Sequence, residues 1–215
     1  MTYLEMINSI LRRLREPTVS TANESTYSRL IGQLINDSKN ELEEAWDWNS
    51  LKTTLTAATS SGVFSYNLTD SGQNGTIVNV LNDTSNVFMR YASNNDFDNW
   101  YLNMTPVSGS PVYYNINGVD TNGDSIIDFY PKPDGVYNIR VNMVIRTADL
   151  SSDTDKPVIP TRPIEMLAYA KAIEERGEDG GQSAASAYRT AERVASNAIA
   201  RDAQFTPEDL VYSAV

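Results

Sequence analysis

The spacing of apolar residues changes twice along this 215-residue chain, and that change constrains its fold more than any other feature. Both ends carry apolar residues three and four positions apart, the spacing of a helix with one buried face. From Leu51 the spacing becomes two, and β-branched and aromatic residues dominate, which is typical of strands. We therefore expect an α+β fold, with a four-helix domain built from residues 1–50 and 148–215 and an antiparallel β-domain inserted at 51–147.

Two capping boxes predict the starts of the N-terminal helices, because a Thr and a Glu three residues later can satisfy each other's free backbone N–H groups. Thr2 with Glu5 predicts the first helix, which ends before Pro17. Thr21 with Glu24 predicts the second, which runs to about residue 48. Arg12, Arg13 and Arg15 are expected at a solvated end of the first helix, and an anion site is the alternative.

Two more helices are predicted after a polar linker at residues 148–161. Thr161 is the expected N-cap of the third helix, which stops at Gly177, and the fourth covers about 183–203. One face of the fourth helix carries small residues, which let two helices approach closely. We interpret this face as a contact within the bundle or with a neighbouring subunit. Its alanines are Ala184, Ala187, Ala191, Ala195 and Ala198.

Seven strands are predicted in the β-domain, separated by turns rich in Gly, Asn and Asp. They are 51–57, 63–68, 76–82, 86–92, 112–117, 125–130 and 136–146. Residues 93–109 carry few strand signals. We expect Phe97, Trp100 and Tyr101 to pin a long loop or a short helix onto the β-domain. The alternative is that these rings stack on a sugar, as in a carbohydrate-binding or hydrolytic protein.

Composition excludes several kinds of catalysis. The chain has neither Cys nor His, so Ser-His-Asp and Cys-His triads, His-ligated metals and thiolate zinc sites are impossible. No glycine-rich phosphate loop is present, and no pair of carboxylates stands out as a glycosidase pair. The sequence therefore predicts a structural protein with no cofactor, no metal and no enzymatic activity.

Net charge is −11, and no segment is basic. Sequence-specific DNA binding calls for a basic patch, whereas an acidic surface repels DNA and lets it slide past. Ordinary solubility is the preferred explanation of the charge, and repulsion of DNA is the alternative. No apolar run approaches the 18 residues of a membrane span, and the first residues do not resemble a secretory signal. We expect no membrane association and assembly in a cytoplasm.

One segment resembles a calcium loop. It begins at Asp120 and has oxygen-bearing side chains at several ligand positions, but Pro131 occupies the twelfth position, where a bidentate Glu belongs. The flanking residues predict strands, so a hairpin turn is the preferred interpretation. A calcium-stabilised β module is the alternative.

The last twelve residues, Gln204–Val215, are too few to form a core, yet they carry an apolar cluster that is expected to bind a partner. Its members are Phe205, Leu210, Val211 and Tyr212.

The stretch Ile7–Thr21, with its Arg-Glu-Pro-Thr-Val-Ser-Thr exit from the first helix, resembles the start of the head-to-tail adaptors of short-tailed phages, the tail tubular protein A family. Arg15 and Thr18 stand where that family usually has Gly and a second Pro. Two later runs, Ile127–Gly135 and Val158–Pro160, also resemble these adaptors, in the same order along the chain.

The resemblance implies a homo-oligomeric ring, usually of twelve copies, between the portal protein and the tail nozzle protein, with tail fibres as a further partner. DNA would pass through the lumen without sequence-specific binding, and the protein would reside in the virion tail after assembly in the host cytoplasm. The helices would pack against neighbours, the β-domain would meet the tail, and the apolar C-terminal residues would dock on the portal.

Calcium should not stabilise this protein, because Pro131 removes the ligand that completes such a loop. Thermal melts recorded with EDTA and with millimolar calcium are expected to coincide. A rise of several degrees in the presence of calcium would instead support the metal-stabilised module.

Overall fold

A computed structural model of the chain describes residues 1–72, 75–177 and 182–205. The chain forms two compact units, one from Met1–Leu51 with Thr147–Val215 and the other from Lys52–Arg146. Helices occupy both ends and two mostly antiparallel sheets occupy the centre, so the predicted α+β fold class is confirmed. The helices are α1 (Tyr3–Arg13), α2 (Thr26–Ala45), α3 (Asn94–Asp98), α4 (Thr161–Arg176) and α5 (Gln182–Ala203).

Helix α1 begins as predicted, with a reciprocal capping box between Thr2 and Glu5. The predicted box at Thr21 is wrong, because Ser25 and Ser28 cap α2 instead. The preceding segment is held in an extended form by Asn8, whose side-chain amide both donates to the carbonyl of Val19 and accepts from its N–H, at 2.9 and 2.8 Å. A contact with α1 therefore delays the start of α2.

Helix α4 includes Thr161, and Pro160 occupies the cap position without a capping side chain, so the predicted N-cap is wrong by one residue. The predicted stop is confirmed. Gly177 adopts a φ of 60°, a left-handed conformation that glycine reaches at little cost, and its N–H bonds the carbonyls of Ile173 and Glu174. None of the helices within the described ranges is long and apolar enough to span a bilayer.

The first part of the predicted polar linker is hydrogen-bonded to the helical unit. Residues 147–155, which we call the return segment, are hydrogen-bonded to the first two helices and the segment between them. Asn36 makes two side-chain bonds to the backbone of Leu150, at 3.0 and 2.9 Å. The carboxylate of Asp153 accepts from the N–H of Ala22 at 2.8 Å, and the carbonyl of Asp155 accepts from the N–H of Tyr3 at 2.8 Å. The return segment thus belongs to the packed helical unit.

The β unit consists of two four-stranded sheets in the orders β1-β8-β3-β4 and β2-β7-β6-β5. Among the strands that the described residues form, all pairs are antiparallel except β5 with β6. The strands are β1 (Lys52–Ala58), β2 (Ser65–Asn67), β3 (Thr76–Asn82), β4 (Val87–Phe88), β5 (Arg90–Tyr91), β6 (Tyr113–Val119), β7 (Ser125–Tyr130) and β8 (Asn138–Val144).

A single strand over 86–92 is not formed, because the chain changes sheets at Met89. Phe88 pairs with Leu81 in the first sheet, whereas Arg90 pairs with Tyr113 in the second. Met89 is buried between them and enters a core that receives residues from both sheets. The residues of this core are Ala57, Leu68, Val80, Met89, Ile127, Phe129, Ile139, Val141 and Met143.

The helical unit contains a completely buried ion pair between Lys39 and Glu43 on α2. The Lys39 ammonium donates to Glu43 at 3.3 Å, to the side chain of Asn40 at 3.0 Å and to the carbonyl of Thr147 at 2.9 Å. Glu43 in turn accepts from the N–H of Thr147 at 3.1 Å and from its hydroxyl at 2.7 Å. Both charges are therefore fully compensated, and together they fix the first residue of the return segment.

Replacing Lys39 with Met should lower the free energy of unfolding by about 3–5 kcal/mol, because Glu43 is then left charged and buried without its partner. Lys39→Met combined with Glu43→Leu should lose less than the single variant. Urea unfolding followed by tryptophan fluorescence measures both. Lys171→Met, which breaks the more exposed pair with Glu41, is the matched control and should cost less than about 1 kcal/mol. Equal losses in Lys39→Met and Lys171→Met would show that the buried pair has no special role.

Candidate partner-contact surfaces

Helix α5 packs along α4 through its alanine face. Ala184 and Ala191 are buried within the chain, and they are 5 % and 2 % exposed. Ala187, Ala195 and Ala198 are half-buried. Part of the face therefore meets α4, and part of it keeps surface that a further partner can cover.

A hydrogen bond also joins α5 to α4. The hydroxyl of Tyr188 on α5 donates to the carboxylate of Glu174 on α4 at 2.5 Å. Burial, together with this bond, raises the pKa of Tyr188 to about 12. The tyrosine therefore stays protonated, and remains a donor, throughout the neutral range.

The end of α5 is fixed to the segment that follows α2. The carboxylate of Asp202 accepts from the indole N–H of Trp46 at 2.9 Å and from the backbone N–H of Asn49 at 3.0 Å. Its carbonyl accepts from the N–H of Phe205 at 3.0 Å, which turns the chain just after the helix. The position of Phe205 is thereby set, although its side chain is 75 % exposed.

Of the four predicted portal-docking residues, the structure describes Phe205 alone. Leu210, Val211 and Tyr212 lie outside the described residues. An exposed ring at the end of an anchored helix is one feature that a partner could bind, since burial of aromatic surface is a large source of binding energy.

Sequence reasoning missed a buried carboxylate between α1 and α4. Glu165 accepts from the hydroxyl of Ser9 at 2.6 Å and forms ion pairs with Arg13 at 3.3 Å and Arg162 at 2.9 Å. The guanidinium of Arg13 also lies over the ring of Tyr169. Arg12, Arg13 and Arg15 are exposed, as predicted for a solvated helix end, and Arg13 additionally pairs with the buried Glu165. The sequence feature that could have indicated this buried charge is a Glu at a core-facing position of an amphipathic helix.

The aromatic residues after α3 pack onto the β unit, as predicted. A π-helical turn at Asn99–Asn103 follows α3 and carries two of the rings. Trp100 stacks on Tyr130 with centroids 4.5 Å apart, and Tyr101 stacks on Phe64 at 4.4 Å. The Tyr101 hydroxyl also donates to the carbonyl of Phe129 at 2.7 Å. These ring faces meet protein rings, which leaves less aromatic surface for stacking on a sugar.

The segment that resembles a calcium loop is a hairpin turn between β6 and β7, as preferred from the sequence. The Asp120 carboxylate accepts from the backbone N–H groups of Asn122 and Asp124, at 2.7 and 3.0 Å. The bond from Asp124 contributes most to a pKa of Asp120 below its ordinary value. Across residues 1–72, 75–177 and 182–205, no cluster of three or more acidic side chains could hold a metal ion.

The anchored end of α5 and exposed apolar side chains such as Phe205 are features that a partner-binding protein can use. A family model described as SU10 adaptor protein matches residues 1–209, and the chain belongs to that family. It is thus a structural adaptor of the phage head–tail junction and a virion component, not an enzyme, and it associates with portal and tail components. A comparison with curated proteins finds no match.

Ala191→Leu should overpack the contact between α5 and α4 and destabilise the isolated subunit by about 1–3 kcal/mol. The measurement is the melting temperature of the purified subunit, with Ala200→Leu on the exposed side of the same helix as the control. If the face instead serves a neighbouring copy, the subunit melts normally and ring assembly fails. A variant with normal melting and normal assembly would contradict both interpretations.

Proposed function

We propose that this protein is the head-to-tail adaptor of a short-tailed phage, and that copies of it form a ring between the portal and the tail nozzle. The observation that carries the proposal is the family match over residues 1–209. The ring, its usual twelve copies and the short-tailed class come from the resemblance of the Ile7–Thr21, Ile127–Gly135 and Val158–Pro160 stretches to that group of adaptors.

The two units suit a protein that joins two partners. In the proposed ring, the helical unit contacts neighbouring copies and the portal, and the β unit meets the nozzle. Subunits in a closed ring use one surface to bind the next copy and a different surface to be bound. Each contact can be modest, because a ring that engages its partners through many subunits at once gains avidity from their number.

An open channel for DNA agrees with the charge of the chain. A net charge of −11 gives the ring a predominantly acidic character, so the phosphate backbone is repelled rather than retained. The adaptor would therefore guide DNA during ejection without binding a particular sequence.

A carbohydrate-binding or hydrolytic tail component is the second candidate, and an exposed aromatic ring on β5 is what favours it. Tyr91 is 64 % exposed and contacts Tyr114 edge-on. Negative-stain images of the purified protein mixed with the portal separate the two candidates. Rings seated on portals support the adaptor, whereas unaltered portals and retention on a polysaccharide column support the carbohydrate-binding protein.

Removing residues 204–215 should abolish portal attachment while leaving the fold intact, since the helical core ends before this segment. Portal occupancy is counted in images, and circular dichroism with thermal melting serves as the folding control. Tyr212→Ser with Val211→Ser in the full-length chain is a milder variant that should weaken attachment by removing apolar contact area. Normal occupancy of portals by the truncated protein would exclude docking through these residues.

A further inference from the structure

A partly apolar groove lies between the start of α4 and the end of α5. It has a volume of about 430 Å³ and is lined by the start of α4 and by one face of the last turns of α5. Val194, Ala198, Arg201 and Phe205 follow one another at intervals of three or four residues, so they form a single stripe. Pro160 and Pro163 face this stripe from the other side.

The groove carries positive charge in an otherwise acidic chain. Arg162 and Arg201 line it; Arg162 is paired with Glu165, whereas Arg201 makes no ion pair within the described part of the chain. The one acidic residue at the groove, Asp202, directs its carboxylate to Trp46 and Asn49. The groove thus offers an apolar floor with an available guanidinium at its rim.

The residues that follow Phe205 match this surface in chemistry. Glu208 and Asp209 are adjacent acids, and they are followed at once by Leu210, Val211 and Tyr212. A segment with this order can place its carboxylates near Arg201 while its apolar side chains cover the floor of the groove.

The segment also has a suitable length. The stripe from Val194 to Phe205 extends roughly 16 Å, at about 1.5 Å per helical residue. Residues 206–212 can reach up to about 24 Å when extended, at about 3.4 Å per residue. The chain turns at Phe205, whose N–H bonds the carbonyl of Asp202, so the segment starts at one end of the groove.

We propose that residues 206–212 bind in this groove of their own subunit, with the acidic pair Glu208 and Asp209 near Arg201 and with the apolar residues that follow lying over Ala198 and Val194. This inference goes beyond portal docking and does not depend on it. It assigns the groove an intramolecular occupant, which shields Phe205 and the apolar residues from solvent in the free subunit.

Disulfide trapping in the full-length chain tests the proposal, because the protein has no cysteine of its own. Ala198→Cys with Val211→Cys places one thiol in the groove and one in the segment. Ser196→Cys with Val211→Cys is the matched control, since Ser196 is exposed and lies two residues away, almost on the opposite face of α5. Under mild oxidation the groove pair should form an intramolecular disulfide at least about tenfold faster than the control, because binding raises the local thiol concentration.

Charge-reversal variants test whether Arg201 attracts the acidic residues of the segment. Arg201→Glu should slow the trapping of the groove pair several-fold, and adding Glu208→Lys with Asp209→Lys should restore it. Equal rates for the groove and control pairs, or disulfides found only between subunits on a non-reducing gel, would overturn the proposal. Portal attachment is scored separately on the reduced protein, so failure of trapping with normal attachment rejects the groove alone and leaves the adaptor function standing.

Discussion

The buried pair of Lys39 and Glu43 is the interaction on which the helical unit depends. A charged pair at zero exposure is tolerable only when every donor and acceptor is satisfied, and here Thr147 supplies the missing partners with its carbonyl, its N–H and its hydroxyl. The chain leaves the helical unit after Leu51 and returns at Thr147. The pair therefore fixes the point where the return segment meets α2, and the rest of the return segment continues from that point.

Side-chain amides also hold irregular segments of the helical unit in place through hydrogen bonds to their backbone. Asn36 binds the backbone of Leu150 through both its donor and its acceptor, and Asn8 binds Val19 in the same manner. An extended segment beside a helix has unpaired backbone groups that would be costly to bury, and a primary amide satisfies one donor and one acceptor at once. Irregular segments are thereby incorporated into the unit without a further strand or helix.

Local patterns were enough to predict much of the fold, and long-range contacts account for the differences. The capping box at Thr2 and the stop at Gly177 depend on neighbouring residues alone, and both are confirmed. The box at Thr21 is wrong because Asn8, in another element, decides the local conformation. The predicted strand over 86–92 is divided in two because the chain passes from the first sheet to the second at Met89. No local sequence pattern indicates this change of sheet. The partner of Arg13 is a residue 152 positions away, at Glu165, so the candidate surfaces could be only partly predicted.

The connectivity of the helical unit has a kinetic consequence. Lys39 and Thr147 are separated by 108 residues, so their contact closes a long loop and has a substantial entropic cost in the unfolded chain. The β unit lies within that loop and holds its own core, so its folding draws the two ends of the loop together. Contacts of this sequence separation form slowly when the intervening chain is disordered. Because Lys52 pairs with Val144 in the β unit, formation of that unit shortens the loop that the contact between Lys39 and Thr147 has to close.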